Sequence, residues 1–291
     1  MKALALSANR KPRGPDKALK SSGAKMRTES KGEPQTAPKA RLDTTVTKAM
    51  LLFETLAASD TPMGISTISK VLSLQKSNVH RLLNTLAALG YVEQDLDTKR
   101  YFPSLKVWEI GSAIANRSLL RVAAHPILLE LHRETSEAVF LSILSDTHVL
   151  YLDAISAPNS PAGPRLGDRA PAVFPASGKV MLANQHDPEG IVDRVIAMVP
   201  QAAALKKSAL LREFEDIRHN GYAVSTRGWR SDNTAVAAAV MGFGAPPSAA
   251  VGIGGTVEHM TKRRISQVIR PLLEAASKIA RLPIPPRSPV R

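Results

Sequence analysis

Residues 42–102 constrain this chain more than any other stretch, because three amphipathic helical runs, a turn and a polar-tipped hairpin follow one another without a break. The first run places Val46, Ala49, Met50, Phe53, Leu56 and Ala57 at helical spacing, with Asp43 or Thr44 available to cap its start. Thr61-Pro62-Met63-Gly64 breaks the pattern, and Ile65, Ile68, Val71 and Leu72 then predict a short second helix from about Ser66. Ser73-Leu74-Gln75 supplies a turn. A third helix, Lys76 to Leu89, gathers Val79, Leu82, Leu83, Leu86 and Leu89 on one face and leaves Asn78, His80, Arg81, Asn84 and Thr85 on or beside the other. Gly90 ends it as a C′ residue. Tyr91–Gln94 and Arg100–Phe102 then read as strands joined by the polar run Asp95–Lys99. This is the element order of a winged helix-turn-helix.

The rest of the chain has a different texture. Leu105 to Arg117 predicts a linking helix that mixes Leu105, Trp108 and Ile114 with the small Gly111, Ser112 and Ala115. Another helix is expected from Pro126 to Ser136. Beyond it, strands at Ala138–Leu144, Val149–Ile155, Ala223–Thr226, Val236–Met241 and Ala249–Gly254 are interspersed with helices at Ser177–Gln185, Pro188–Met198, Ser208–Asn220 and Thr261–Arg281. Adjacent strands without an intervening helix imply a largely antiparallel sheet with helices on its faces. The fold class is therefore α+β. The expected domains are a basic arm over 1–41, a DNA-binding module over 42–104, a linker over 105–120, an α/β domain over 121–282 and a tail over 283–291.

Charge and composition narrow the partners. The formal charge is +14, and residues 1–41 carry 11 Lys/Arg against 3 Asp/Glu, leaving 28 against 22 elsewhere. An excess concentrated in a Lys/Ser/Gly/Pro-rich arm without a large apolar helical face favours nucleic acid over a membrane surface, or simple solvation of a disordered end. With no Cys, disulfides, thiolate metal sites and a Cys nucleophile are excluded. The apolar run at Met1–Leu6 is too short for a secretory signal and no stretch approaches the ~20 apolar residues of a membrane span, so the cytoplasm is expected.

A helix fits the major groove of DNA, and its exposed N-terminal side chains reach bases and phosphates. Here those are Lys76, Ser77, Asn78, His80 and Arg81. Asn reads adenine and Arg reads guanine bidentately, whereas Lys76 and Ser77 suit phosphates. Lys99 and Arg100 on the hairpin suit the backbone or the minor groove beside it.

The run Lys76-Ser77-Asn78-Val79-His80-Arg81-Leu82-Leu83-Asn84-Thr85-Leu86, followed by Leu89-Gly90-Tyr91-Val92-Glu93-Gln94, closely resembles the recognition helix and wing of the IclR (isocitrate lyase regulator) family. Thr45-Val46-Thr47-Lys48-Ala49-Met50 is similar to the start of that family's first helix, with Lys48 where Arg is usual. Gly167-Asp168-Arg169-Ala170-Pro171, Ala176–Ala183 and Gly221-Tyr222-Ala223-Val224 resemble its ligand-domain signatures. The resemblance spans Leu42 to Leu282. It implies a dimer or dimer of dimers on pseudo-palindromic double-stranded operator DNA, with Lys48 joining the DNA contacts. It also implies a GAF-like domain that binds a small-molecule effector and controls, as a repressor for instance, a catabolic pathway.

Carried over by position, the resemblance puts the effector against backbone N–H groups of Ala176 and Ser177 and beside Ser225, Ala235, Gly252 and Gly254. An N–H pair opening a helix suits an anion. Ser225 stands for a frequent Asp, Ala235 for a frequent Cys, and Gly252 and Gly254 for residues that are often Ser. Smaller side chains imply a roomier, less polar pocket and a bulky or aromatic organic acid. The family's Glu is Gly228 here, and Trp229 and Arg230 are candidates for an aromatic wall and a carboxylate partner.

Two other classes compete with this one. A ligand-independent DNA-binding protein needs no second domain. An enzyme fits poorly: the seven His show no metal-ligand spacing and no Gly-x-Ser-x-Gly elbow occurs. Gly178-Lys179 is no phosphate-binding loop, since Val173 and Val180 stand where Gly and Ser/Thr are required. Gly252–Gly255 lacks the third spaced glycine of a dinucleotide fingerprint. No cofactor or metal is expected.

Overall fold

The computed structural model describes residues 42–158, 163–229, 232–242, 246–247 and 249–283. The basic arm over 1–41, Arg230 and all but the first residue of the tail lie outside the described residues. The chain divides into two units, Met1–Met50 and Leu51–Arg291, a division that falls inside the first helix.

That helix, α1, spans Thr44–Ala57. Asp43 caps it: its Oδ1 accepts from the N–H groups of Thr45 and Val46 at 2.8 and 3.0 Å, satisfying donors that the first turn leaves free. Its buried residues are Leu52 and Leu56, one turn apart, while Val46 and Met50 are more than half exposed. Leu56 is thus buried as the spacing predicts, with Ala49 and Phe53 partly so, while Leu52 replaces Val46, Met50 and Ala57 on the buried side.

Helices α2 (Ile65–Leu72) and α3 (Lys76–Ala88) form the helix-turn-helix. Ser73 turns the chain in the left-handed region at φ 53°, and Ser69 Oγ donates to the carbonyl of Leu74 at 2.6 Å, closing the turn. Ile68, Val79, Leu82 and Leu83 are buried, whereas Leu89 caps α3 with 54% of its surface exposed. Strands β1 (Val92–Gln94) and β2 (Tyr101–Pro103) pair antiparallel. Met63 bridges a third segment to β2 that its breaker sequence did not announce, exchanging two backbone hydrogen bonds of 2.9 Å with Tyr101.

Helix α4 (Leu105–Asn116) is capped by Ser104, whose hydroxyl also donates to the carbonyl of Gly90. Lys106 fixes the same corner, donating to Leu89 O and lying 4.7 Å over the Tyr91 ring. No residue of α4 is buried. Helix α5 runs Leu119–Thr135, so the expectation that it starts at Pro126 is corrected by seven residues. Pro126 is interior, and its missing N–H frees the carbonyl of Val122. Val122 is 56% exposed, and Ser118 supplies the N-cap.

Among the described residues the second sheet has six strands in the order β5-β4-β3-β8-β7-β6, every neighbouring pair antiparallel. They are β3 (Ala138–Ser145), β4 (His148–Ile155), β5 (Arg169–Pro171), β6 (Tyr222–Thr226), β7 (Asn233–Ala239) and β8 (Ala249–Thr256). β5 is too short to show a period and was not expected. Strand alternation sorts side chains onto two cores. Val139, Leu141, Val236, Val251 and Ile253 face α5 and α9 (Lys262–Ala280). Phe140, Val149, Tyr151, Ala223, Ala237 and Ala250 face the side of α6 (Ala176–Ala183), α7 (Pro188–Met198) and α8 (Lys207–Asn220). Helix α6 lies close over its surroundings: a Cβ on Gly178 would stand 2.0 Å from the carbonyl oxygen of Ala172. Among the described residues no helix is long and apolar enough to cross a membrane.

Candidate functional site

On α3 the buried Val79, Leu82 and Leu83 turn the remaining positions outward: Lys76, Ser77, His80, Arg81, Asn84 and Thr85 are exposed and Asn78 partly so. The polar residues are not independent. Arg81 Nη2 donates to Asn78 Oδ1 at 3.3 Å, and Asn84 Nδ2 lies 3.4 Å from His80 Nδ1. Asn78 and Arg81 therefore present a joined amide and guanidinium edge, with the Asn78 amide NH2 left to donate outward. Lys99 and Arg100 are exposed where the turn re-enters β2. Lys48 lies in the second turn of α1, partly buried.

The wing turn holds itself. Asp95 Oδ1 accepts from Thr98 N at 2.6 Å, Thr98 Oγ1 at 2.7 Å and Asp97 N at 3.2 Å. These hydrogen bonds, Thr98 foremost, hold the carboxyl below the ordinary aspartate range. Lys99 completes the turn at φ 57°.

In the α/β domain, register puts the effector candidates in one line. Ser225 pairs with Ala235 across β6 and β7, and Ala235 with Gly254 across β7 and β8. On the same face Phe140 pairs with Gly252 across β3 and β8. A cavity of about 60 Å³ opens there, lined by Phe140, Tyr151, Asp168, Arg169, Pro175, Ser225, Gly228, Trp229, Asn233 and Ala235 among others. Of the sequence candidates, Ser225 and Ala235 line it. Ala176 and Ser177 are fully buried just behind Pro175, and Gly252 and Gly254 lie beneath the Phe140 ring.

The expected extra room is not there, for a steric reason. A Cβ on Gly252 would stand 2.2 Å from Phe140 Cε2, so the aromatic ring fills the space that glycine vacates, whereas one on Gly254 would make an ordinary contact with Cε1 at 3.5 Å. Tyr151 packs edge-on against that ring with centroids 5.4 Å apart. Ser225 Oγ donates to Phe174 O at 2.7 Å. At Gly228, where the resemblance places Glu, a Cβ would meet Ser225 Oγ at 2.0 Å and Phe174 O at 2.5 Å. Trp229 stacks on Phe174 at 5.6 Å and is a wall of the cavity.

Sequence reasoning missed Phe140, Tyr151 and Asn233. The period of β4 held the signal for Tyr151, which alternates with Val149 onto the buried face. A groove of about 470 Å³ adjoins, sharing Arg169 and Trp229 with the cavity and adding His148 and Met198. Burial, and secondarily the charge of Arg169, push the His148 imidazole pKa below its ordinary value. Among the described residues no group of three or more His, Asp or Glu is placed to hold a metal ion.

Residues 45–96 match the family model described as the IclR helix-turn-helix domain, and residues 112–281 match that of the bacterial transcriptional regulator IclR C-terminal domain. The HTH-type transcriptional regulator KdgR of Escherichia coli (strain K12) is 28% identical over 244 residues, covering 81% of this chain and 92% of its own. The crystal structure of the Thermotoga maritima IclR is similar at 27% identity and a TM-score of 0.61, over 81% of this chain and 97% of that one. A Microbacterium hydrocarbonoxydans IclR homolog, solved complexed with 4-hydroxybenzoate, shares the fold at 21% identity and a TM-score of 0.66, over 81% and 98%.

Proposed function

This chain belongs to the IclR family of bacterial transcriptional regulators, and from that premise we propose that it grips a pseudo-palindromic operator as a dimer or dimer of dimers and releases or tightens that grip when an aromatic or otherwise bulky organic acid binds. Its relatives are regulators and it is a regulator, not an enzyme, with a ligand-binding C-terminal domain.

Operator reading is assigned to Asn78, His80 and Arg81 on α3, with Lys76, Ser77, Lys99, Arg100 and Lys48 holding phosphates. The observation that supports it is the face of α3, where Val79, Leu82 and Leu83 are buried in the core while Arg81, hydrogen-bonded to the partly exposed Asn78, is on the open side. Oligomerisation rests on α4: Leu105, Trp108 and Ile114 are each more than 65% exposed on a helix that buries nothing, an apolar surface of the kind that partners cover. Two modules on one face of the duplex add their binding free energies when their spacing fits the helical repeat. Residues 42–104 form the DNA-binding module in this reading, with the linker over 105–120 and the effector domain over 121–282.

The acid reading rests on the lining of the cavity, three aromatic side chains with Arg169 at the rim, and on the aromatic acid bound by a relative of this fold. At about 60 Å³ the cavity is smaller than the roughly 150 Å³ that accommodates benzene, so an aromatic acid enters only as a wall gives way, and the groove beyond Trp229 and Arg169 supplies the room. That same volume favours a second reading, a pyruvate-sized acid that fits without movement. A thermal-shift comparison separates them: stabilisation by benzoate-sized acids supports the first, and stabilisation by pyruvate or glyoxylate alone supports the second. The response itself requires that the acid bind one arrangement of the domains better than another. Control of a catabolic pathway by repression is the regulatory sense proposed.

A further inference from the structure

Tyr151 and Asp153 are two residues apart on β4 yet lie on opposite faces of the sheet. Regular alternation would put both on one face, and a bulge prevents it: Ser142 pairs with Tyr151 and Leu141 with Asp153, leaving Leu152 without a partner on β3. Such a bulge re-aims the side chain that follows it. Tyr151 therefore stands in the wall of the cavity, while Asp153, paired with Leu141 of the α5/α9 core, turns to α5.

Asp153 is buried, and two residues one turn apart on α5 meet it there: His125 Nδ1 lies 2.7 Å from Oδ2, and Arg121 Nε lies 3.9 Å from Oδ1. Oδ1 also accepts from Ala154 N at 3.0 Å, which fixes the carboxylate to its own strand. The reach to Arg121 is too long for a hydrogen bond, and Arg121 Nε is buried without an acceptor. A buried donor in that state favours any movement that satisfies it. The far side of the same guanidinium is engaged: Nη1 donates to Asn116 Oδ1 at 3.2 Å. Asn116 is the last residue of α4 and Ser118 caps α5, so Arg121 spans the joint between the linker helix and the α/β domain.

Resting on the reading of the cavity as the effector site, we propose that Asp153 and Arg121 are positioning residues that relay the state of the cavity to the linker helix. In the arrangement seen, Arg121 holds α4 and stands off from Asp153. A ligand seated against Tyr151 displaces β4, and Asp153 moves with its strand. A shift of about 1 Å brings Oδ1 within the ~2.9 Å of a charge-assisted hydrogen bond to Arg121 Nε. Closure draws the guanidinium toward the sheet and Asn116 with it, and α4, which buries none of its residues, turns in response. The open and closed pair are the two arrangements that coupling requires. Linkage makes the relay reciprocal, so operator DNA biases the same pair from the other end.

The test uses the full-length protein and begins with operator DNA, which requires no effector. Amide hydrogen exchange is measured over β4 and over the α4–α5 joint, without operator and at saturating operator. In the wild type, operator is expected to change exchange in both segments by about twofold or more. In Asp153→Asn and in Asn116→Ala the change over β4 is expected to vanish although operator is still bound. Asn116 is exposed, so its variant decides even if Asp153→Asn fails to fold. Benzoate, 4-hydroxybenzoate and pyruvate are then titrated. The variants are expected to bind whichever acid the wild type binds within about twofold, yet to lose the shift in operator affinity, about fivefold or more, that the acid causes in the wild type. No change over β4 in the wild type, or a full wild-type response in Asn116→Ala, overturns the relay. Binding by none of the acids overturns the acid reading alone, and the operator arm still decides the relay.

Discussion

The ring of Phe140 occupies the place a side chain at Gly252 would need: the two residues pair across β3 and β8, and a Cβ on the glycine would stand 2.2 Å from the ring's Cε2. The bulk of one depends on the absence of the other. Gly252→Ala is therefore expected to destabilise the α/β domain by about 1–3 kcal/mol through overpacking, seen as a lowered midpoint in thermal unfolding. Phe140→Leu in the same chain should recover most of that loss, and a double-mutant cycle with no coupling between the two positions contradicts the packing described.

Gly178 faces a harder obstacle, since the atom a Cβ would meet, at 2.0 Å, is the backbone carbonyl oxygen of Ala172. A backbone neighbour has no rotamer to escape into. Gly178→Ala should cost at least as much as Gly252→Ala, and a wild-type unfolding midpoint for it would show that α6 does not lie so close.

The Asp95 carboxylate orders the wing, and its folded-state pKa is lowered, first by the Thr98 hydrogen bonds. The sign follows from linkage: a depressed acid contributes order that is complete above the ordinary aspartate pKa and fades as pH falls through the folded value. The amide signals of Asp97 and Thr98 should titrate below the ordinary aspartate range, of about 3.9. A midpoint at or above that range contradicts the turn geometry. At neutral pH, Asp95→Ala should free the wing and weaken operator binding without changing which operator is preferred.

The exposed apolar side chains of α4 supply a test of assembly. Trp108→Glu and Ile114→Glu put charge where a partner is expected to pack, at positions 68% and 67% exposed, so neither should unfold the protomer. Light scattering after gel filtration is expected to show a shift toward monomer and operator affinity to fall. An unchanged oligomer mass would place the interface elsewhere.

The helix-turn-helix was legible because its signals are local: the period of α3, the Gly90 stop and the polar wing tip each act within a few residues. Two of its packing details were not. The burial of Leu52 and the bridge at Met63 are decided by what packs against them, which spacing alone does not encode. Pro126 misled in another way, reading as a helix start although α5 accommodates it internally, with its N-cap at Ser118. In the cavity, Ser225 and Ala235 were found by position, but the inference from small side chains to open volume failed, because a cross-strand neighbour filled the gap. Asn233 carries no sequence signal at all. Its significance is a missing hydrogen bond, visible only once the wall around it is built.

Helix α3 is expected to enter the major groove, where Asn78 and Arg81 read base edges. Dimethyl sulfate footprinting of the operator tests it directly, since methylation of guanine N7 reports the major groove and of adenine N3 the minor groove. The expected result is guanine N7 protection in two half-sites about one helical turn apart, with Arg81→Ala removing protection at the same guanine of each half-site and costing about 1–3 kcal/mol of specific binding. Protection confined to adenine N3, or a wild-type footprint and affinity from Arg81→Ala, would contradict the claim.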